Sequence, residues 1–286
     1  IMTGTNQHRV SFEFFPPKTA AGINKLEETR RTLGALNPEY FSVTYGAGGS
    51  TRDNTKQIVL DGLNAGFDTA PHLSFGGDEK EAILNLLEDY RASGVSRIVA
   101  LRGDLPSGFG AGSRLVHANE LVSFIRQHTG DHFHLAVAAY PEIHPEAESY
   151  ETDIGFLKQK FDAGANSAIT QYFFNADSYA YFIERCQKVG IDQPIYPGIM
   201  PITNFDNLKR FSQSCGAEIP RWLSYRIESL KHSPDDLNAF CTEFISNLCE
   251  KLLAYGAPGL HFYTMNQAEP TQAICHNLGI VSQASK

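Results

Sequence analysis

Short runs rich in β-branched and aromatic residues recur along this chain, and each is followed by a longer segment whose apolar residues keep helical spacing. The runs fall at residues 10–15, 40–45, 69–75, 97–101, 133–140, 167–174, 194–200 and 259–265. About eight such runs close a parallel barrel. Amphipathic stretches at 23–36, 78–93, 119–127, 150–163 and 178–189 separate them, and Gly94, Gly164 and Gly190 stand where a left-handed residue ends a helix. The expected fold is therefore α/β, a (β/α)8 TIM barrel, with an open doubly wound sheet as the competing architecture. Residues 205–257 are too many for one connecting helix, and Ser233-Pro234 divides them, so extra helices are expected before the last strand. No repeat, low-complexity tract or linker interrupts the series, and residues 1–286 read as one barrel domain.

Composition narrows the partners. The chain carries 24 Lys+Arg against 32 Asp+Glu, a formal charge of -8, which leaves no broad basic surface for nucleic acid. The first nine residues lack the zones of a signal peptide, and no apolar run approaches bilayer length, so no membrane partner and a cytoplasmic location are expected. Ile1 ahead of Met2 reads as a leftover residue, with Met2 as the natural start. Five cysteines without a C-x-x-C pair read as reduced thiols, most of them structural.

Polar residues gather where the runs end: Glu13, Thr44 with Tyr45, His72, Arg102 with Asp104, Tyr140, Gln171, and Tyr263 with Thr264. In a barrel these ends converge on one rim, which is where chemistry sits. Glu13, within SFEFFPP, should point opposite to Phe12 and Phe14 into the barrel or its mouth. Burial among aromatics predicts a raised carboxyl pKa and a partly protonated acid; an ion pair with an arginine such as Arg102 is the structural alternative. Asp104 and Arg102 offer a charge pair beside flexible Gly103, suited to an electron-poor ring and to phosphate, or simply to a turn salt bridge. Gln171 opens an aromatic run, where its amide needs partners. The glycine-rich loop at 46–51 lacks the last small residue of a dinucleotide fingerprint, and His144 has no second histidine at ligand spacing, so neither a Rossmann cradle nor a metal site is expected.

Taken in order, residues 10–17, 41–47, 70–73, 98–106, 138–147, 162–171 and 260–266 resemble the catalytic domain of methylenetetrahydrofolate reductase, particularly its short bacterial form. The resemblance implies a barrel that holds FAD, takes hydride from NADH or NADPH, and reduces 5,10-methylenetetrahydrofolate to 5-methyltetrahydrofolate for methionine synthesis. It implies Glu13 as the acid that opens the bridged folate ring and Asp104 as the charge that favours the cationic iminium. FAD-contacting positions fall on Thr44, Tyr45, Ala47, His72, Arg102, Gly103 and Asp104. They continue at Ala118, Tyr140, His144, Ala147, Asp153 and Lys160. Gln171, Tyr179, Phe211 and Gln267 match substrate-binding positions, Phe211 by stacking. A homo-oligomer is also expected.

Three positions depart from the family pattern. Gln267 stands where an arginine associated with folate is usual, Gln159 where a basic residue near the FAD phosphates would be expected, and Phe156 also differs. These departures bear on affinity more than on chemistry. A different flavin barrel oxidoreductase, or a non-redox pterin barrel that passes methyl groups to a corrinoid partner, are the other functions the pattern allows.

Overall fold

The computed structural model describes residues 9–45, 51–75, 80–102 and 117–282. Its first strand, β1 (Arg9–Phe14), pairs in parallel with β2 (Tyr40–Val43) on one side and with β9 (Gly259–Tyr263) on the other. From β2 the sheet runs on through β3 (Thr69–Leu73), β4 (Arg97–Ala100), β5 (His134–Ala139) and β6 (Ser167–Thr170) to β7 (Ile195–Tyr196). On the other edge β9 pairs with β8 (Gly198–Ile199). β7 and β8 are the halves of one stave broken at Pro197, so the nine segments make the eight staves of the expected barrel. All printed pairings are parallel, as βα units wound in one direction require.

The break at Pro197 has a local cause. Proline has no N–H to give a ladder, and its carbonyl instead accepts from His261 N at 3.0 Å. β6 therefore holds the first half of the stave and β9 the second.

Helices α1 (Ala20–Gly34), α2 (Thr51–Asn64), α3 (Lys80–Ala92), α4 (Ala118–Thr129), α5 (Tyr150–Asp162) and α6 (Ala176–Lys188) each follow a strand. Ser149 opens α5 by accepting from Thr152 N at 3.1 Å, and the glycines at 94, 164 and 190 have the positive φ expected of helix ends. Three helices fill the long segment before the last strand: α7 (Phe205–Cys215), α8 (Arg221–Leu230) and α9 (Pro234–Ala254). Pro234 occupies the first turn of α9, where its missing N–H costs nothing. The last helix is α10 (Glu269–Asn277). No helix among the described residues is long and apolar enough to cross a membrane.

Strand alternation assigns the core. Phe12 and Phe14 point out toward the helices, where they meet Phe41 and Phe262, all at most 1% exposed. Each such ring contributes roughly 2–3 kcal/mol by burial. Ser11 and Glu13 point inward. Four of the five cysteines are buried, all five are free, and burial pushes the Cys186 thiol up to about 12, which makes it inert.

Beyond its last residue, β9 is tied to β1 by two side chains. Asn266 accepts from Phe15 N at 3.1 Å and donates to Phe15 O at 2.9 Å, imitating one more ladder pair, while Thr264 Oγ1 donates to Glu13 O at 2.6 Å. Asn266 takes a φ of 58°, a conformation asparagine tolerates better than most residues. Replacing it with alanine removes both bonds, and we expect a loss of about 1–2 kcal/mol in urea unfolding, with an unchanged m-value.

Candidate active site

The strand ends open into a cavity of about 450 Å³ whose lining includes Glu13, His72, Tyr140, Gln171, Phe211 and Tyr263, with Met200 and Met265 beside them. β1, β3, β5, β6 and β9 each supply part of the wall, and α7 lowers Phe211 over it from one side. Six residues singled out in the sequence thus come together: Glu13, His72, Tyr140, Gln171, Phe211 and Tyr263. Phe211 remains 47% exposed, an apolar ring with nothing covering its outer face within the described residues.

Glu13 sits between two imidazoles. His72 Nε2 lies 3.1 Å from its Oε1 and His261 Nε2 lies 3.5 Å from the same atom. The His72 contact is close but not a well-directed hydrogen bond, since that buried nitrogen has no bond of good geometry. His261, fully buried, is held on its other side by Ser11 Oγ at 2.7 Å from Nδ1. Burial alone pushes the Glu13 carboxyl up, but the hydrogen bond to His261 and the charge of His72 outweigh it and hold the group down at about 2. This corrects the expectation of a partly neutral acid among aromatics. The aromatics lie on the outer face of β1, and the inner face that Glu13 shares is furnished with histidines. Arg102 is not its partner either: the guanidinium pairs with Glu146 at 2.7 Å.

His261 carried no assigned role in the sequence. The signal was present nonetheless, because His261 and Tyr263 alternate on β9 as Ser11 and Glu13 do on β1, and register sets Ser11 against His261 and Glu13 against Tyr263.

Beside the cavity, the loop from β5 to α5 forms a second polar cluster. The His144 ring stands edge-on to Tyr140 at 4.6 Å and its Nδ1 accepts from Glu146 N at 3.0 Å, while the His144 backbone N–H donates to Asp153 Oδ2 at 2.8 Å. Ala147 N donates to His144 O at 2.9 Å. Lys160 Nζ reaches from α5 to Ala138 O at 2.8 Å and lies 5.8 Å from the centre of the Tyr140 ring. That carbonyl is its one hydrogen-bond partner among the described residues, although an ammonium has three donors. Burial lowers Lys160 to about 8 against the opposing charge of Asp153, and burial raises Asp153 despite its bond from His144. A cation held with unused donors fits an anionic group such as a diphosphate.

Ala118 is the first residue of α4, whose N-terminus has no side-chain cap. His117 before it stacks on exposed Phe156, with ring centres 6.4 Å apart and 10° between planes. Thr44 and Tyr45 follow β2, and the Thr44 carbonyl accepts from Thr55 Oγ1 at 2.9 Å. Ala47, Gly103 and Asp104 lie outside the described residues.

Two proposed substrate contacts do not reach this cavity. Tyr179 is buried at 3% exposure, stacked on Phe173, with its hydroxyl donating to Ile195 O at 2.7 Å. It packs α6 onto β7, outside the cavity. Gln267 instead lines a separate polar cavity of about 780 Å³ with Lys25, Thr29, Asn238 and Gln272, two residues along the chain from Met265 in the first.

The family model for methylenetetrahydrofolate reductase matches residues 2–279. The chain belongs to that family. It is 41% identical over 272 residues to the 5,10-methylenetetrahydrofolate reductase of Pectobacterium carotovorum, covering 95% of this chain and 90% of the relative. Against the Escherichia coli reductase identity is 40% over 276 residues, covering 96% and 92%. The Arabidopsis thaliana methylenetetrahydrofolate reductase (NADH) 1 is 37% identical, and this chain spans 50% of its length. Membership makes the chain an oxidoreductase and methylenetetrahydrofolate its substrate. Among solved structures, an uncharacterized Clostridium thermocellum protein that binds two copies of 5-methyl-5,6,7,8-tetrahydrofolic acid aligns with a TM-score of 0.66 over 96% of this chain and 95% of its own, at 16% identity. A 2,3-dimethylmalate lyase aligns at 0.52 and 12% identity, over 94% and 77%. At those identities the two structures speak only to the fold.

The depressed Glu13 makes a stability prediction with a definite sign. Its folded pKa lies below the ordinary 4.5, so the ionised carboxylate stabilises the fold above about 4.5, and that contribution disappears as pH falls toward about 2. The difference in urea-unfolding stability between the wild type and Glu13→Gln should therefore shrink across that window. A difference that stayed constant from pH 5 to 2 would mean that Glu13 is not held ionised by the two histidines.

Proposed function

We propose that this reductase is FAD-dependent, draws hydride from NADH or NADPH, and forms 5-methyltetrahydrofolate for methionine synthesis. The observation that carries this reading is a buried carboxylate at the base of an apolar-walled cavity, bracketed by two imidazoles and overhung by Gln171 and the open face of Phe211. FAD, when bound, would take hydride from the nicotinamide and pass it to the one-carbon unit.

The chain's own residues would divide the remaining work. Lys160, with the polar loop around His144 and Asp153, would hold the diphosphate side of the cofactor, and Arg102 and the uncapped start of α4 at Ala118 would add to it. Thr44, Tyr45 and His72, together with Ala47 and Gly103, complete the proposed cofactor contacts. Phe211 offers a stacking face to a flat heterocycle, and Gln171 presents an amide able to donate and accept at once. Its Oε1 now accepts from Tyr172 N at 3.0 Å, so the amide NH2 remains for a ligand.

Ring opening of the bridged folate breaks a C–N bond and needs a proton on the departing nitrogen. A carboxyl held at about 2 is a poor acid by itself. Glu13 would therefore relay a proton rather than store one, with the imidazoles of His72 and His261 as the groups within reach to resupply it. Hydride addition to the resulting methylene iminium then gives the methyl group, and we assign the stabilising charge there to Asp104. The name of the Arabidopsis relative favours NADH as the donor.

The purified protein should be yellow and should bleach under anaerobic NADH; a colourless protein that takes up no FAD would sink the reading. Glu13→Gln should leave bleaching by NADH within about twofold while lowering reoxidation by methylenetetrahydrofolate by at least about 10²-fold. Stopped-flow absorbance separates the two steps. Lys160→Met should raise the stability of the flavin-free protein near pH 7, because a lowered lysine pKa marks a charge that burial disfavours, and should weaken retention of FAD over riboflavin. Equal retention of both flavins would remove Lys160 from the diphosphate site.

A further inference from the structure

The barrel's one broken stave lies beside the cavity. β6 is laddered to β7 only as far as Ile169 opposite Tyr196, and β9 is laddered to β8 from Gly198 onward. At Thr170, the last residue of β6, the stave has already broken, and two side-chain bonds stand in for the ladder. Thr170 Oγ1 accepts from Gly198 N at 2.9 Å, and the Thr170 carbonyl accepts from the Tyr263 hydroxyl at 2.6 Å. The second bond reaches from β9 across the broken stave to β6.

Gly198 is what lets it pass. A Cβ built there would overlap the Thr170 carbonyl oxygen and lie 2.7 Å from the Tyr263 hydroxyl. Every residue with a side chain would block the line that the phenol takes, so glycine is required at this position by close approach.

The ends of this tie are the two sides of the site. Tyr263 is the register partner of Glu13, and Thr170 immediately precedes Gln171. Glu13, Gln171 and Tyr263 all line the same cavity, as does Met200 just past β8. A continuous seventh stave would ladder β6 and β9 through one strand; here the phenol bridges them directly.

We propose that Tyr263 is a positioning residue that holds Gln171 at a set distance from Glu13 across the split stave, so that the amide and the acid engage the same folate ring. The role rests on the functional reading above, in which Gln171 contacts the substrate and Glu13 protonates it. Tyr263 need not exchange a proton, and burial, together with the nearby negative charge of Glu13, pushes its phenol well above its ordinary value.

The test uses the flavin-loaded protein and Tyr263→Phe, which removes one oxygen and keeps the ring. The expected result is a rise of about three- to tenfold in KM for methylenetetrahydrofolate, the scale of one neutral hydrogen bond. Flavin reduction by NADH should stay within about twofold, and crystal structures of the two proteins should differ in the separation between the Glu13 carboxyl and the Gln171 amide. Gly198→Ala should produce the same split by displacing the phenol. An unchanged KM with an unchanged separation overturns the proposal, and so does an equal fall of both half-reactions in step with lost folded protein, which would mark a merely structural bond. A wild-type protein that never reduced methylenetetrahydrofolate would overturn the functional reading instead, and the Glu13–Gln171 separation in the variant would still decide whether Tyr263 positions them.

Discussion

A closed cylinder of parallel strands sends successive side chains to opposite sides, and most of this molecule follows from how β1 and β9 use that rule. Phe12, Phe14 and Phe262 take the outer side and are buried under helices; Ser11, Glu13 and His261 take the inner side. The outer set provides the apolar burial that holds the sheet against its helices. The inner set is polar and largely shielded from water, so its members turn to one another: Ser11 bonds His261, His261 meets Glu13, and Glu13 lies against His72. The charge state of the site is thus a by-product of how the barrel closes.

The same closure is incomplete at one stave, and the exception falls at the site. A proline with no N–H and a glycine with no Cβ flank the break, and ladder hydrogen bonds give way there to bonds from Thr170 and Tyr263 side chains. Backbone pairing is surrendered beside the cavity. The loop from β5 to α5 brings a half-buried ammonium and a carboxylate beside the mouth, where burial disfavours the charge on both and a bound anion would relieve the ammonium.

Much of this was legible from periodicity. All eight staves lie where β-branched and aromatic runs occur, with most boundaries trimmed by one to four residues because the sequence runs continue into the rim loops. Glu13, His72, Tyr140, Gln171 and Phe211 could be singled out because barrel geometry concentrates polar residues of different strands at one end. Tyr179 and Gln267 could not be placed by that argument: one is a helix residue whose hydroxyl finds a backbone carbonyl, the other lies past the end of β9 and faces a neighbouring cavity.

The sequence by itself determined the barrel, its extra helices before the last strand, the outward and inward faces of each stave, and the family, since all of these are written in local spacing and motif order. Only the tertiary structure decided that Glu13 is held as an anion and that Tyr263 spans the broken stave. Both depend on side chains far apart along the chain, His261 being 248 residues from Glu13 and Thr170 being 93 from Tyr263, and local patterning carries no information about which partner closes such a distance. Desolvation can be guessed from neighbours in sequence, but the sign of a pKa shift belongs to the neighbours in space.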